Sequence, residues 1–364
     1  MIVGVPKEIK DNEYRVSLVP AGVEELVVQG HDVWVEARAG EGSGIADHMF
    51  KKAGARIVQS HALIFQKAEL VLKVKEPQPE EYHWLKPGQV VFGYFHFAAS
   101  RTLTQAMIQA RIVAIAYETI RLPNGEHPLL IPMSEVAGKM AVQEGAKYLE
   151  RSMGGRGLLL GGVTGVQPAK VVVLGAGTVG TQAARMAASL GAQVILMDHN
   201  LARLRLLETT LPENVVLLVS NRSTIREQVL EADLLIGSIY VDAEKAPRLV
   251  SKELVQQMKP RSVIVDVAID QGGCIETSRP TTHSHPVYEK FKVIHYCVTN
   301  IPGAVGMTST YALTNATLPF VLKIAQDGYK VAMQKDPVLA TGLNLEWGEI
   351  KHPVLQKIFE KRSK

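Results

Sequence analysis

The stretch "KVVVLGAGTVGTQAARMAASLGAQVILMD", residues 170–198, decides how the rest of the chain is read. A β-branched apolar run, 171–174, meets a glycine-rich turn, and an alanine-rich segment follows. Gly175, Gly177 and Gly180 stand at G-x-G-x-x-G spacing, and a second apolar run ends on Asp198. Alone, the glycine spacing carries little. Between a buried strand and a helix, with an acid about 20 residues on, it is the fingerprint of a dinucleotide-binding turn. The first glycine permits the tight turn, the second lets the backbone approach a pyrophosphate, and the third lets helix and strand pack closely. The helix start supplies free N–H groups and the positive end of its dipole. Gly175, Gly177, Thr178, Val179 and Gly180 are therefore candidate cofactor contacts. Asp198 can accept from both hydroxyls of an adenine ribose, and a 2′-phosphate there would meet a like charge. The cofactor expected is NAD rather than NADP. Arg203 and Arg205 soften that preference, and Arg203 joins the candidate contacts.

Working outward, strands are expected at 170–174, 193–197, 215–219, 234–238, 262–267 and 292–296, with a helix at 179–190 between the first two. The N-terminal part repeats the rhythm, with β-rich runs at 2–5, 32–36, 69–74, 89–95 and 111–116. Between these runs, 21–29 and 102–110 each place apolar residues on one helical face. Strands alternating with amphipathic helices imply parallel sheets covered on both faces. The fold class is α/β, with two doubly wound, Rossmann-like sheets separated by a cleft. A long helix, about 135–151 with Ser134 as N-cap, precedes the second sheet. The tail reads mostly helical, with "STYALTNATLPFVLKIAQDG" as its main helix, and is expected to pack on the first domain. The division is then 1–130 plus 308–364 as the substrate domain and 131–307 as the nucleotide domain.

Composition fits this reading. The chain has 364 residues, 46% hydrophobic and 21% charged, enough for two soluble domains with ordinary cores. The formal net charge is +4, with Lys and Arg scattered, so no nucleic-acid footprint is present. The apolar stretches 158–166 and 171–174 are short and interrupted by glycine, whereas a membrane span needs about 20 apolar residues. The N-terminus lacks the pattern of a secretory signal. Two cysteines, Cys274 and Cys297, read as reduced, packed thiols, so a cytoplasmic protein is expected. His283 and His285 in "TTHSHP" read as surface residues, and no metal site is expected. Neither a G-x-S-x-G elbow nor a phosphate-binding Walker motif occurs.

Ligands of open parallel sheets bind beyond the carboxyl ends of the strands. Arg15 follows the first strand, Lys75 follows "ELVLKV", and His96 follows "VVFGYF". In the second half Gly175, Asp198, Ser220, Asp270 and Asn300 follow their strands, and Ser238 ends one. Each has a bland alternative. Arg15 and Lys75 could be solvated, with the charges of 7–13 ordinary loop charges. His96, between two phenylalanines, could be a core histidine, and Asp270 could only make a turn. Jointly, Arg15 and Lys75 suit a carboxylate substrate and His96 suits proton transfer. Asp270 suits orienting water, taking a proton or stabilising a cationic amine.

These segments resemble the L-alanine dehydrogenase family from end to end. "GVPKEIKDNEYRVSLVP", "LVLKVKEP", "FGYFHFAA", "PMSEVAGKMAVQEGAKYLE", "GGVTGVQPAKVVVLGAGTVG" and "DVAIDQGGCIETSRPTTHSHPVY" carry the resemblance. It implies NAD-linked, reversible oxidative deamination of L-alanine to pyruvate and ammonia, in a hexamer. It also implies roles residue by residue. Arg15 and Lys75 would hold the substrate carboxylate or oxo group, and His96 would act as general acid and base. Asp270 would assist proton transfer, with Lys75 counted among the catalytic groups. Ser134, Ser220 and Asn300 would contact the cofactor, and we include Ser238 in that set. One departure stands out: before Thr-Ser-Thr, where relatives carry a basic residue, this chain has Met307. The superfamily also includes the nucleotide-binding part of transhydrogenase, so a transhydrogenase-like subunit is an alternative, as is a non-catalytic NAD sensor.

Overall fold

The computed structural model describes residues 1–239 and 246–361. These divide into two compact units, Met1–Met133 with Gly303–Lys364, and Ser134–Pro302. Each is built on its own sheet.

In the first unit, β1 (Ile2–Val5), β2 (Asp32–Glu36), β3 (Arg56–Val58), β4 (Leu70–Leu72), β5 (Val90–Gly93) and β6 (Val113–Ala116) pair in parallel. Their order is β6-β5-β4-β1-β2-β3. Val3, Val5, Val33, Val35, Val71, Val91 and Ile115 are fully buried, as a sheet covered on both faces requires. Helices cover it, among them Pro20–Val28 and Arg101–Ala110. The chain fills one side of β1 and then crosses to the other, so β1 and β4 flank a topological switch point.

The second unit repeats the device. Its strands are β7 (Lys170–Leu174), β8 (Gln193–Asp198), β9 (Val215–Val219), β10 (Leu234–Gly237), β11 (Val263–Asp266), β12 (Val287–Lys290) and β13 (Val293–Tyr296). The order β12-β13-β11-β10-β7-β8-β9 puts the switch between β7 and β10. Only β12 runs antiparallel, as an edge hairpin with β13.

The tail is mostly helical, as expected, and also carries a pair of short strands that the sequence did not reveal. Helix Gly306–Lys335 is broken at Gly328 (φ 73°, ψ 153°), where the quoted helical stretch ends. Two strands follow, β14 (Leu343–Glu346) and β15 (Glu349–Ile350), and β14 pairs antiparallel with β6. The tail therefore completes the first unit's sheet. The helix expected at 135–151 is Ile131–Leu149. Pro132 stands where a missing N–H costs nothing, so the helix begins before Ser134, which lies in its first turn rather than capping it.

Candidate active site

In the first unit the carboxyl ends of β1, β4, β5 and β6 lie side by side. Arg15 is carried on the loop after β1 and is only 2% exposed. Glu13 grips one edge of the guanidinium with both oxygens: Nε donates to Oε1 at 2.6 Å and Nη2 to Oε2 at 2.5 Å. Nη1 also points at Met133 Sδ, 3.0 Å away. Burial disfavours the guanidinium, yet Glu13 more than offsets this, so its pKa is raised. The loop is tied to the tail: Val16 N donates to Thr310 Oγ1 at 3.0 Å. Thr310 belongs to the Thr-Ser-Thr motif and is fully buried, whereas Met307 just before it is 57% exposed.

Lys75, three residues past β4, is half-buried. Its ammonium makes no hydrogen bond or ion pair with the described residues and lies 5.9 Å from the centre of the Tyr94 ring. Burial, and then the positive charges of Arg15 and Lys10, hold its pKa below the usual lysine range. His96, past β5, is exposed, which removes the core-histidine alternative. Its ring stacks on Tyr94 with centroids 5.9 Å apart. Tyr94 is thus a shared wall between the cation and the imidazole. Its hydroxyl donates to Leu129 O at 2.6 Å, and burial raises its pKa well out of reach of proton chemistry near neutrality. A cavity of about 330 Å³ opens beside His96, lined also by Lys10, Glu76, Gln78, Tyr82 and Ser100.

Two of the charges of 7–13 are not ordinary loop charges. Glu8 and Glu13 are both buried. Glu8 Oε1 accepts from Val74 N at 2.6 Å and Lys75 N at 3.4 Å, and its other oxygen lies 3.1 Å from Lys73 Nζ. Lys73, fully buried, also donates to Glu81 at 2.9 Å. Burial opposes its charge, but Glu8 and Glu81 prevail and raise its pKa. His61 extends the chain, 3.0 Å from Glu81 and 2.6 Å from Glu36. Burial works against protonated His61, but the two carboxylates lift its pKa from 6.5 to about 9. A histidine with a raised folded pKa stabilises fully below its unfolded pKa and loses that contribution as pH rises through the folded one. The move from 6.5 to about 9 corresponds to about 3 kcal/mol. Urea unfolding at stepped pH should therefore show wild type losing up to that much, relative to His61→Gln, between pH 6.5 and 9.5. Parallel curves for the two proteins would contradict it.

The second unit carries the glycine turn. Gly175 sits at φ +101°, a conformation that favours glycine. A Cβ on Gly180 would stand 1.8 Å from Gly175 O, so helix Thr178–Ser189 can approach β7 only without a side chain there. A Cβ on Gly177 would meet nothing within 4 Å. Gly177 caps that helix without a side-chain bond, leaving N–H groups at an open face. Asp198, half-buried at the end of β8, accepts from Ala176 N at 2.7 Å and Asn200 N at 2.8 Å. Arg203 Nε braces the turn by donating to Ala176 O at 3.0 Å. Ser238 does so from just past β10, its hydroxyl 2.8 Å from Leu174 O and 3.0 Å from Gly175 O. Ser220 N donates to Asp198 O at 2.9 Å. Open room at Gly177, unspent N–H groups and an acid at the second strand end fit a dinucleotide.

Asp270 is exposed on the short helix Val267–Gln271 after β11, with no hydrogen bond or ion pair to the described residues. Asp266, which the sequence did not single out, holds that segment. Fully buried, it accepts from Ala268 N at 3.2 Å, Cys274 N at 3.1 Å and Ile275 N at 3.3 Å. Burial raises its pKa. Asn300 adopts φ +61°, and its carbonyl accepts from His283 Nε2 at 3.1 Å. His283 is thus half-buried and structural rather than a surface residue, while His285 is exposed. Cys274 and Cys297 are buried and free. Among the described residues no cluster of three His, Cys, Asp or Glu side chains could hold a metal ion, and no helix is long and apolar enough to cross a membrane.

Two sheets that share one order for their six parallel strands, one with a nucleotide-type glycine turn at its switch point and one with buried cations at its own, define a two-unit, Rossmann-like α/β protein. Comparison with known proteins narrows this. Residues 4–137 match the family model "Alanine dehydrogenase/PNT, N-terminal domain" and residues 141–353 match "Alanine dehydrogenase/PNT, C-terminal domain". The chain belongs to the alanine dehydrogenase/PNT family. It is 52% identical to a curated alanine dehydrogenase of Methanococcus maripaludis, covering 98% of this chain and 96% of that one. It is 50% identical to that of Bacillus subtilis, covering 98% and 94%. A solved L-alanine dehydrogenase structure superposes with a TM-score of 0.96 at 52% identity, covering 99% of each chain. A solved transhydrogenase from Sinorhizobium meliloti gives 0.82 at 27% identity, covering 97% and 99%.

Proposed function

We propose that the chain catalyses the reversible oxidative deamination of L-alanine to pyruvate and ammonia, with NAD as hydride acceptor. The observation that carries the reading is similarity to curated alanine dehydrogenases at about half identity over nearly the whole chain. The transhydrogenase-like alternative draws on a more distant match.

The residues fit the chemistry as follows. The turn of Gly175, Gly177, Thr178, Val179 and Gly180 would hold the pyrophosphate of NAD, and Asp198 the adenine ribose. Ser134, Arg203, Ser220, Ser238 and Asn300 are the further proposed contacts. NAD, when bound, supplies a hydride acceptor for the substrate Cα. Arg15 and Lys75 hold the substrate carboxylate. Glu13 fixes the plane of the Arg15 fork before substrate arrives, so little orientation is lost on binding. Lys75, with no ion pair among the described residues, gains an anion. Once the substrate ammonium has released a proton, loss of hydride from Cα leaves an iminium; water adds to that carbon, and the hydroxyl proton of the resulting carbinolamine leaves with the ammonia as the C–N bond breaks. His96 takes the proton from the adding water and returns one to the departing nitrogen, with Asp270 assisting. The products are pyruvate, ammonium, reduced nicotinamide and one proton.

The reading extends to a cytoplasmic homohexamer, which rests on the family resemblance and is checked by the mass in sedimentation. The reaction is tested in reverse. Purified protein with pyruvate, ammonium and NADH should form L-alanine, identified by chiral chromatography, and NADPH should serve far less well. No alanine would sink the reading. Equal use of NADPH would remove the proposed role of Asp198.

A further inference from the structure

His96 sits in a strained place. Its backbone is left-handed, φ 52° and ψ 42°, a region that a non-glycine residue enters at some cost. Such a conformation persists only where the surroundings over-determine it. Two neighbours do so. The imidazole lies against Tyr94 with 7° between the ring planes, and Tyr94 is itself buried and pinned through its hydroxyl. The backbone is held by Glu118. Its Oε1 accepts from His96 N at 2.6 Å, and Phe95 N lies 3.2 Å and 3.3 Å from the two carboxylate oxygens.

The sheet explains how one side chain reaches both N–H groups. The register pairs Gly93 of β5 with Ala116 of β6. Glu118, two residues past Ala116, therefore stands level with Phe95, two past Gly93. It emerges from the short helix Tyr117–Thr119 at the same sheet edge. A carboxylate bonding to backbone N–H groups makes charge-assisted bonds, roughly twice as strong as neutral ones. Both bonds end where the chain bends into the left-handed residue, so they bear on the conformation of His96 directly.

We propose that Glu118 is a positioning residue for the reaction. It holds His96 in the left-handed conformation that stacks the imidazole on Tyr94, the ring that Lys75 also approaches. The proposal rests on the alanine reading and on the role given to His96. Proton transfer needs the imidazole within hydrogen-bond reach of its target, and a displacement of about 1 Å can cost on the order of 100-fold in rate.

The test is steady-state kinetics on wild type, Glu118→Ala, Glu118→Gln, His96→Ala and the His96→Ala/Glu118→Ala double variant. Glu118→Ala should lower kcat for L-alanine roughly 10- to 100-fold, with KM for alanine and the NAD dissociation constant within about threefold. Glu118→Gln keeps an oxygen that accepts both N–H groups and should recover most of the loss. It also serves if the alanine variant does not fold. In the His96→Ala background, Glu118→Ala should add less than about a further twofold, because the two residues act as one unit. A merely structural role would instead weaken NAD binding in step and add fully to the His96→Ala loss, and either result overturns the proposal. So does an unchanged kcat in Glu118→Ala when His96→Ala is impaired. Full activity in His96→Ala would remove the role of His96 and the proposal with it. Wild type silent on alanine would remove the larger reading first.

Discussion

Replacing His96 with alanine should lower kcat for alanine oxidation by about 100- to 10,000-fold, the range a general acid–base group supplies. NAD affinity should stay nearly unchanged, because the glycine turn belongs to the other compact unit. His96 is exposed and contributes little to the core, so the variant should fold and melt like wild type. Its ring contacts are a stack on Tyr94 and the cavity beside it. Single-turnover kinetics would separate the effect on chemistry from any on binding. A variant within about threefold of wild type in kcat would show that water or another group manages the proton.

The second large effect concerns stability. Lys73→Met should destabilise the protein by about 3–5 kcal/mol, the usual cost of removing one partner from a buried ion pair. Lys73 is fully buried and neutralises two buried carboxylates, Glu8 at 3.1 Å and Glu81 at 2.9 Å. Methionine fills similar space but leaves Glu8 without a cation and Glu81 with His61 alone. Adding Glu8→Gln and Glu81→Gln should restore part of the loss. Because Glu8 also accepts from the backbone of Lys75, the single variant should weaken alanine binding as well. Urea unfolding reads the first effect and KM the second. A loss under about 1 kcal/mol would mean that the network behaves like a surface pair.

What could be read from sequence was mostly what depends on near neighbours in the chain. Gly175, Gly177, Gly180 and Asp198 lie within one strand–turn–helix–strand element, and their spacing encodes their geometry. The placement of Arg15, Lys75 and His96 was legible for a related reason: each closely follows a parallel strand, and parallel strands deliver their ends to one edge. What failed was mostly non-local. Glu8 and Glu13 read as loop charges because nothing in 7–13 shows that Lys73 and Arg15 will bury them. Strands β14 and β15 read as helix-rich tail because β6, on which β14 pairs, lies more than 200 residues earlier, and β15 only adds to β14. Ser134 read as a helix cap because serine favours that position, but the apolar start at Ile131 and Pro132 lengthens the helix. Glu118 and Asp266 drew no notice, although each lies at a strand's carboxyl end. Their work is to hold backbone N–H groups, and acids doing so carry no spacing signature.

The central claim meets its most direct test when L-alanine is added to purified protein and NAD, with no other protein present, and absorbance of reduced nicotinamide is followed. The account predicts an alanine-dependent rise, matched one for one by pyruvate and ammonia, and much weaker responses across a panel of larger L-amino acids. No rise with any amino acid would contradict it and leave the chain a nucleotide-binding relative without this chemistry.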